Sequence, residues 1–530
     1  MLSHSAHICC NHYFIKPKPL TFICSFCCIC WYRNDYTTCV RWSLHRGRCY
    51  QRRPGQSFQR STLVRWSRNS LWCFDDRFAI SSNVATKFVK IITRLSVHFK
   101  NKAYWWEIGD DLKPAQEMDT IPENSDFVVV GAGYAGLSAA LTVARQGKSV
   151  IVLDGGMPGF GASTRNGGIC SGQIRPSLIT LRKKLGTRVA NNIYSEGVDA
   201  RDDLVKFCED EKIDCQLQMT GRFTGAMSQS DYETQCREVE KLSEITGHRA
   251  YMVTKNEQRN EINTDLFFGG MVREEIGGFH PGKFFAGLLR VAERAGVLVS
   301  FNNKVLEILE GKAGKKSVIT GMGKIKAGKV IIATNAYTGQ KYNFTKFLRQ
   351  RLVPTQSCII VTEKLGIDTV KTFMPKLRMY GNTENLYSYF RPTPDRDRIL
   401  LGSRSFDRRE TSQRSVVYLK NKLTKIFPEL ATCKVDYCWL GNVAFTKSQL
   451  PTVFEHNNIY YAAGFAGSGT VWARWLGKKA AEMALGISNK PSVFFGSPPA
   501  KLPFYDGNPW FLPTLNKYYS LKDWLKSHQS

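Results

Sequence analysis

A glycine turn set between a strand and a helix constrains this chain more than any other feature. Phe127-Val128-Val129-Val130 is a short apolar run rich in β-branched residues, as a strand buried on both faces requires. It feeds directly into Gly131-Ala132-Gly133-Tyr134-Ala135-Gly136, which has the spacing GxGxxG. From Tyr134 to Gln146 the residues Leu137, Ala140, Leu141 and Ala144 recur on one helical face, and Gly147 supplies a stop. A second apolar run, 149–153, ends at Asp154. Each part has a mechanical reason. Gly131 permits the tight turn, Gly133 lets backbone approach a pyrophosphate, and Gly136 lets the helix pack closely on the strand. The helix N-terminus, opening at Tyr134 and Ala135, offers free N–H groups and partial positive charge to phosphates, while Asp154 can accept hydrogen bonds from ribose hydroxyls. GxGxxG alone is weak; strand, turn, helix, strand and acid in this order point to a dinucleotide site. The competing reading is a glycine-rich turn in some other α/β unit.

The chain has 530 residues, 43% hydrophobic and 22% charged, enough for two or three globular domains. Its net charge of +29 suggests nucleic acid or anionic membrane as a partner until the charge is located. Residues 1–100 carry 16 Lys or Arg against 3 Asp and no Glu, together with 9 of the 16 cysteines, and lack the apolar periodicity of a helix or sheet. We therefore expect 1–115 to be a separate, unstructured leader, and expect neither a nucleic-acid partner nor a transmembrane segment. Other readings of the leader are a mitochondrial presequence, a zinc site at Cys24, Cys27, Cys28 and Cys30, and an anchor over 20–32. The zinc reading lacks half its ligands and the anchor is short of about 20 apolar residues, so no metal is expected. The remaining cysteines, Cys170, Cys208, Cys215, Cys236, Cys358, Cys433 and Cys438, have no framework spacing, which implies reduced thiols and a cytoplasmic setting.

Just downstream lies a second glycine-rich segment, Gly161-Ala162-Ser163-Thr164-Arg165-Asn166-Gly167-Gly168, able to approach a planar ligand through its backbone. On physical grounds alone it is also compatible with a mobile surface loop. At this point the chain resembles the amine and amino-acid oxidase superfamily of FAD proteins, which contains D-amino-acid oxidase, glycine oxidase and sarcosine oxidase. The segment is most similar to the gamma-glutamylputrescine oxidoreductase subgroup, and the likeness runs from about Asp126 to about Gly486. Further segments fit it. An amphipathic helix follows His280-Pro281 and ends before Gly296; a strand at 297–301 follows, with an adenine-side contact implied near Val305. Another strand, 329–333, ends in Thr334-Asn335-Ala336, resembling the family's turn beside the flavin. Near the C-terminus the strand 459–463, the loop Gly464-Phe465-Ala466-Gly467-Ser468-Gly469, with Thr470 next, and an Ala-rich helix repeat the strand–glycine–helix plan. In the family this loop closes over the flavin and its pyrophosphate.

The resemblance implies an α/β fold: a Rossmann-type FAD-binding domain from 120–190, 281–340 and 441–490, and a discontinuous antiparallel-sheet substrate domain from 191–280 and 341–440. Residues 491–530 form a tail without an assigned role. The chain departs from the family's pattern at Ser448-Gln449-Leu450-Pro451 and at Ser468, which leaves substrate preference open. No Cys or His is placed for a covalent flavin link, so FAD is expected to be noncovalent. The implied chemistry is hydride transfer from the carbon beside a neutral amine of a small-molecule amine or amino acid to flavin N5. The imine then hydrolyses, and electrons pass to O2 or another acceptor. Catalytic residues are unassigned. Arg391 could pair with a substrate carboxylate or be an exposed strand-end arginine; Trp439 could border the pocket or fill core; His280 reads better as a helix-entry residue than as a catalyst. Two other functions stay open: an FAD-dependent dehydrogenase of a non-amine substrate, and a basic nucleic-acid- or lipid-binding protein with a vestigial flavin domain.

Overall fold

The computed structural model describes residues 99–311, 314–338, 342–404, 413–487 and 490–528, together with the backbone of five short strands between Cys28 and Ser81. The chain divides into two units, Met1–Ser96 and Val97–Ser530. In the first, Cys28–Arg33, Tyr36–Ser43 and Arg48–Arg52 form an antiparallel sheet, and Ser70–Trp72 pairs with Ala79–Ser81. The expectation of a leader without sheet is corrected at those segments. The side chains of the zinc candidates Cys24, Cys27, Cys28 and Cys30, and of the apolar stretch 20–32, lie outside the described residues.

The second unit begins earlier than the 115 boundary read from sequence. A 3-10 segment, Tyr104–Leu112, belongs to the body, with Trp105 completely buried. The Trp105 indole N–H donates to the Asn166 carbonyl at 2.7 Å, that of Trp106 to Thr164 Oγ1 at 2.7 Å, and the Trp105 ring stands edge-on to His280 at 4.9 Å. These tryptophans carry no helical or strand period because Gly109, at φ +61°, breaks the segment. Trp105→Ala in the full chain should cost about 3–5 kcal/mol, the usual range for emptying a buried tryptophan site. Urea unfolding measures it; an unchanged midpoint would return this segment to the leader.

The body is built on two sheets. In the first, Leu298–Ser300, Val150–Leu153, Asn124–Val130 and the C-terminal half of Gly323–Ile332 run parallel, with Ile459–Ala463 parallel on the far side of Ile332. Their apolar runs are buried on both faces, as parallel strands under helices require. The helices Tyr134–Ala144, Pro281–Arg294 and Gly469–Leu485 share one core with them. The second sheet has eight strands in the order Ala250–Val253, Gly270–Arg273, Arg222–Gly225, Met379–Asn382, Tyr389–Pro392, Ile399–Arg404, Val353–Thr362 and Val435–Phe445. It is antiparallel except where Met379–Asn382 runs beside Arg222–Gly225. One face packs on the helix Gln413–Ile426 around Phe390, Leu401, Cys358 and Ile360; the other presents Tyr389 to the glycine loop at Gly167. The α/β architecture expected from sequence is present. Among the described residues no helix is long and apolar enough to cross a membrane.

Candidate functional site

The end of the first strand delivers Gly131 into the turn at φ +105°. Its N–H donates to the Leu153 carbonyl at 2.8 Å, and a Cβ there would stand 3.1 Å from the Ala333 carbonyl. The helix Tyr134–Ala144 starts at Gly133 without a side-chain cap. The Tyr134 N–H instead donates to Ser163 Oγ at 2.9 Å, so the glycine loop is tied to the helix N-terminus. The C-terminal copy of the plan is similar. After Ile459–Ala463 the chain takes positive φ at Gly464, Ala466 and Gly467 before the helix Gly469–Leu485. The Gly464 N–H donates to Asn335 Oδ1 at 2.9 Å. The two helices meet where Gly477 lies against the Ala135 carbonyl, so both N-termini open on one cavity of about 400 Å³.

Gly131, Gly133, Tyr134, Ala135, Asp154, Ser163, Asn166, Val305, Thr334, Asn335, Gly467, Gly469 and Thr470 all line that cavity. Gly136, Thr164, Arg165, Gly167, Gly168, Gly464 and Ser468 do not; most of them shape it from behind. Arg165 donates to the carbonyls of Phe160 at 2.8 Å and Leu440 at 3.0 Å, and its guanidinium lies over the rings of Trp106 and Phe160, fastening loop to roof. Asn166 Oδ1 accepts the Gly168 N–H at 2.8 Å, and Gly167 is pressed by the Tyr389 ring, 2.7 Å from where a Cβ would be. Sequence reasoning passed over Phe160, Lys304, Tyr337, Tyr342, Phe344, Asn442 and Val443, which also line the cavity. Phe160 and Tyr337 adjoin recognised turns, a signal that was available; Tyr342, Phe344 and Asn442 belong to no motif.

The three catalytic candidates do not line this cavity. Arg391 is buried, not exposed: Nη1 donates to the carbonyls of Gly168 at 2.7 Å and Phe279 at 3.1 Å, and Nε to that of Pro392 at 2.9 Å. Burial pulls its pKa down to about 10, and its Nη1 ties the glycine loop at Gly168 to the second sheet. Trp439 is core, its indole N–H on the Arg165 carbonyl at 3.1 Å. His280 caps the helix Pro281–Arg294, Nδ1 accepting the Lys283 N–H at 3.2 Å, and burial lowers it to about 4, so it is neutral at pH 7.

The lining fits a dinucleotide. Asp154 accepts the N–H of Ala132 at 2.7 Å on one carboxylate oxygen and that of Gly156 at 2.8 Å on the other, leaving lone pairs on both oxygens for ribose hydroxyls. Gly133 leaves space that a Cβ, 3.0 Å from Ser163 Oγ, would fill. Two helix N-termini supply phosphate donors. No Cys or His is among the lining residues, and no metal-ligating group of three occurs among the described residues.

Residues 126–483 match the family described as FAD dependent oxidoreductase, or DAO. Over 416 residues the chain is 30% identical to gamma-glutamylputrescine oxidoreductase of Escherichia coli (strain K12), covering 77% of this chain and 95% of that one. Among solved structures it is similar to glycine oxidase from Geobacillus kaustophilus, with TM-score 0.59, 19% identity, and 69% and 96% of the two chains covered. L-proline dehydrogenase from P. horikoshii matches with TM-score 0.57 at 22% identity over 70% of this chain and 96% of its own.

Proposed function

Since the chain belongs to the DAO family of FAD-dependent oxidoreductases, we propose that it oxidises a primary or secondary amine or an amino acid, holding FAD noncovalently in the cavity described above. The observation that carries the cofactor half of this reading is the convergence of two glycine turns and two helix N-termini on one cavity. The relative named for gamma-glutamylputrescine, similar over 95% of its length, supports the amine half. Bound FAD supplies a two-electron acceptor for the C–H bond beside the amine, the resulting imine being hydrolysed and the electrons passed to O2 or another acceptor.

The chain's own part is binding and exclusion of water. Asp154 holds ribose hydroxyls, and the N–H groups opening the two helices hold phosphates. The segment 161–168, fixed by Trp105, Trp106 and Arg165, gives a rigid floor, and the face of the second sheet carrying Tyr389 roofs it. A rigid, partly desolvated pocket of this kind favours the neutral amine and holds it in place; no strong general base is required of the protein.

Purified full-length protein should be yellow, release its colour into the supernatant on acid precipitation, and bleach under anaerobic addition of an amine but not of hydroxy acids. Re-aeration then shows whether oxygen accepts the electrons. Bleaching by hydroxy acids alone would make it a dehydrogenase of another substrate class, and colourless protein that cannot take up FAD would overturn the reading.

A further inference from the structure

The C-terminal helix Leu512–His528 sets polar side chains on the body and turns an apolar stripe outward. Asp523 accepts the N–H of Asn385 at 2.8 Å, the Asn385 side-chain amide at 2.6 Å and the N–H of Leu386 at 3.0 Å. Three residues on, the Lys526 ammonium pairs with Asp231; four residues before, Tyr519 lies toward Arg175 and Arg404. Positions 519, 523 and 526 share one side of a helix, and Leu512 and Leu515 in the first turn are half-buried. The other side carries Tyr518, Leu521 and Leu525, again at helical spacing, exposed by 57%, 55% and 44%. Trp524 is 53% exposed, and Trp510, two residues before the helix, 65%. Among the described residues the five most exposed large apolar side chains all fall within 504–524, so this exposure is concentrated in the tail rather than scattered over the surface. An ordinary surface helix buries its apolar stripe against the core; this one is held by hydrogen bonds and an ion pair and leaves the stripe open.

The charge on that side has one sign. Lys517 and Lys522, both exposed, flank Tyr518, Leu521 and Leu525 on either side, while the helix's one carboxylate, Asp523, is turned to the body. We propose that this face lies in the headgroup layer of a membrane containing anionic lipid. The amphipathic rings of Tyr518 and Trp524 suit the headgroup boundary and the two leucines the acyl chains beneath it. The lysine stems can run along the apolar surface and leave their ammonium groups at lipid phosphates. A net charge of +29 on the whole chain has the sign that such a surface attracts. No described helix can cross a membrane, so the attachment runs along its surface. A second copy of the chain fits less well. A helix of 17 residues is about 25 Å long and about 10 Å wide, so its face offers roughly 250 Å². A stable interface needs about 800 Å² from each partner. Two such faces would also bring Lys517 and Lys522 against their own copies. The proposal stands whatever substrate the flavin site takes.

The test is flotation of the FAD-loaded full chain with vesicles of phosphatidylcholine alone and of phosphatidylcholine with phosphatidylserine. Wild type is compared with the double variants Leu521→Gln/Leu525→Gln and Lys517→Gln/Lys522→Gln. The wild type should float with the mixed vesicles. About half of each leucine's surface is still open to be buried, so the leucine pair should weaken that binding roughly 30-fold. The lysine pair should weaken it by a similar factor of roughly 30 on mixed vesicles and hardly at all on phosphatidylcholine. Because these side chains point away from the body, FAD content and melting temperature should not move. If the leucine pair unfolds the helix, Tyr518→Gln is read in its place and should weaken binding by roughly 5-fold. Failure of the wild type to bind mixed vesicles overturns the proposal. Binding that is abolished by salt but equal in wild type and the leucine variant also overturns it, since the attraction then belongs to charge elsewhere in this basic chain. Sedimentation without lipid covers the remaining occupant: a wild-type dimer that the leucine pair dissociates assigns the face to a second copy and overturns the membrane assignment.

Discussion

Gly136→Ala is expected to yield colourless protein that melts well below the wild type. A Cβ on Gly136 falls on the Gly131 carbonyl oxygen and 3.3 Å from Val129 Cγ1. The obstacle is backbone, and it belongs to the very turn whose φ of +105° aims the helix at the cavity. Overpacking relieved by shifts of side chains costs about 1–3 kcal/mol; here the turn itself must move, so about 3 kcal/mol or more is expected. The same movement displaces Gly133 and the Tyr134 N–H, both on the cavity wall, so FAD affinity should fall at least about 100-fold. Gly496→Ala is the matched control: nothing stands within 4 Å of its Cβ position, and its effect should stay within about 0.5 kcal/mol. Thermal unfolding and the ratio of flavin to protein absorbance read both. Full occupancy and an unchanged melting temperature in Gly136→Ala would mean that the turn does not carry the cofactor.

The parts of this protein legible in sequence are those whose physics is local. A buried parallel strand, a glycine turn and a helix stop each need particular residues at fixed spacing, which is why Phe127–Gly147 and Ile459–Leu485 could be placed to within a few residues. What could not be read depends on partners far along the chain. Trp105 is core because Asn166 and His280 reach it from 61 and 175 residues away, and a 3-10 segment bent at Gly109 has no period to detect. Arg391 looks like an exposed strand end until the Gly168 and Phe279 carbonyls, 223 and 112 residues distant, close around it. Spacing reveals ligands held by one turn; it is silent on those assembled by a sheet.

Asp154→Ala is expected to lower FAD affinity by two to three powers of ten. A hydrogen bond to a charged carboxylate contributes about 1.5–3 kcal/mol, and Asp154 has room for both ribose hydroxyls while also satisfying the N–H groups of Ala132 and Gly156. Alanine removes all of these at once. Asparagine keeps the shape but presents an amide where one backbone N–H needs an acceptor, so it should fall between. The pH dependence separates the carboxylate's charge from its shape. Burial raises the Asp154 pKa above the ordinary aspartate value, outweighing the two backbone donors that pull it down. For a carboxyl whose folded pKa is raised, the contribution to stability is present below the unfolded value and is lost as pH rises through the folded one. Apo protein therefore gives up some stability at neutral pH on account of this group. FAD affinity runs the other way, because the ionised carboxylate is the better acceptor for hydroxyls. Acidification should release FAD from the wild type beginning above the usual range near about 3.9, and should leave the residual affinity of Asp154→Asn flat over that interval. Flavin fluorescence, which rises on release, follows this directly. Identical acid release from the wild type and Asp154→Asn would show that the charge on Asp154 is not what holds the ribose.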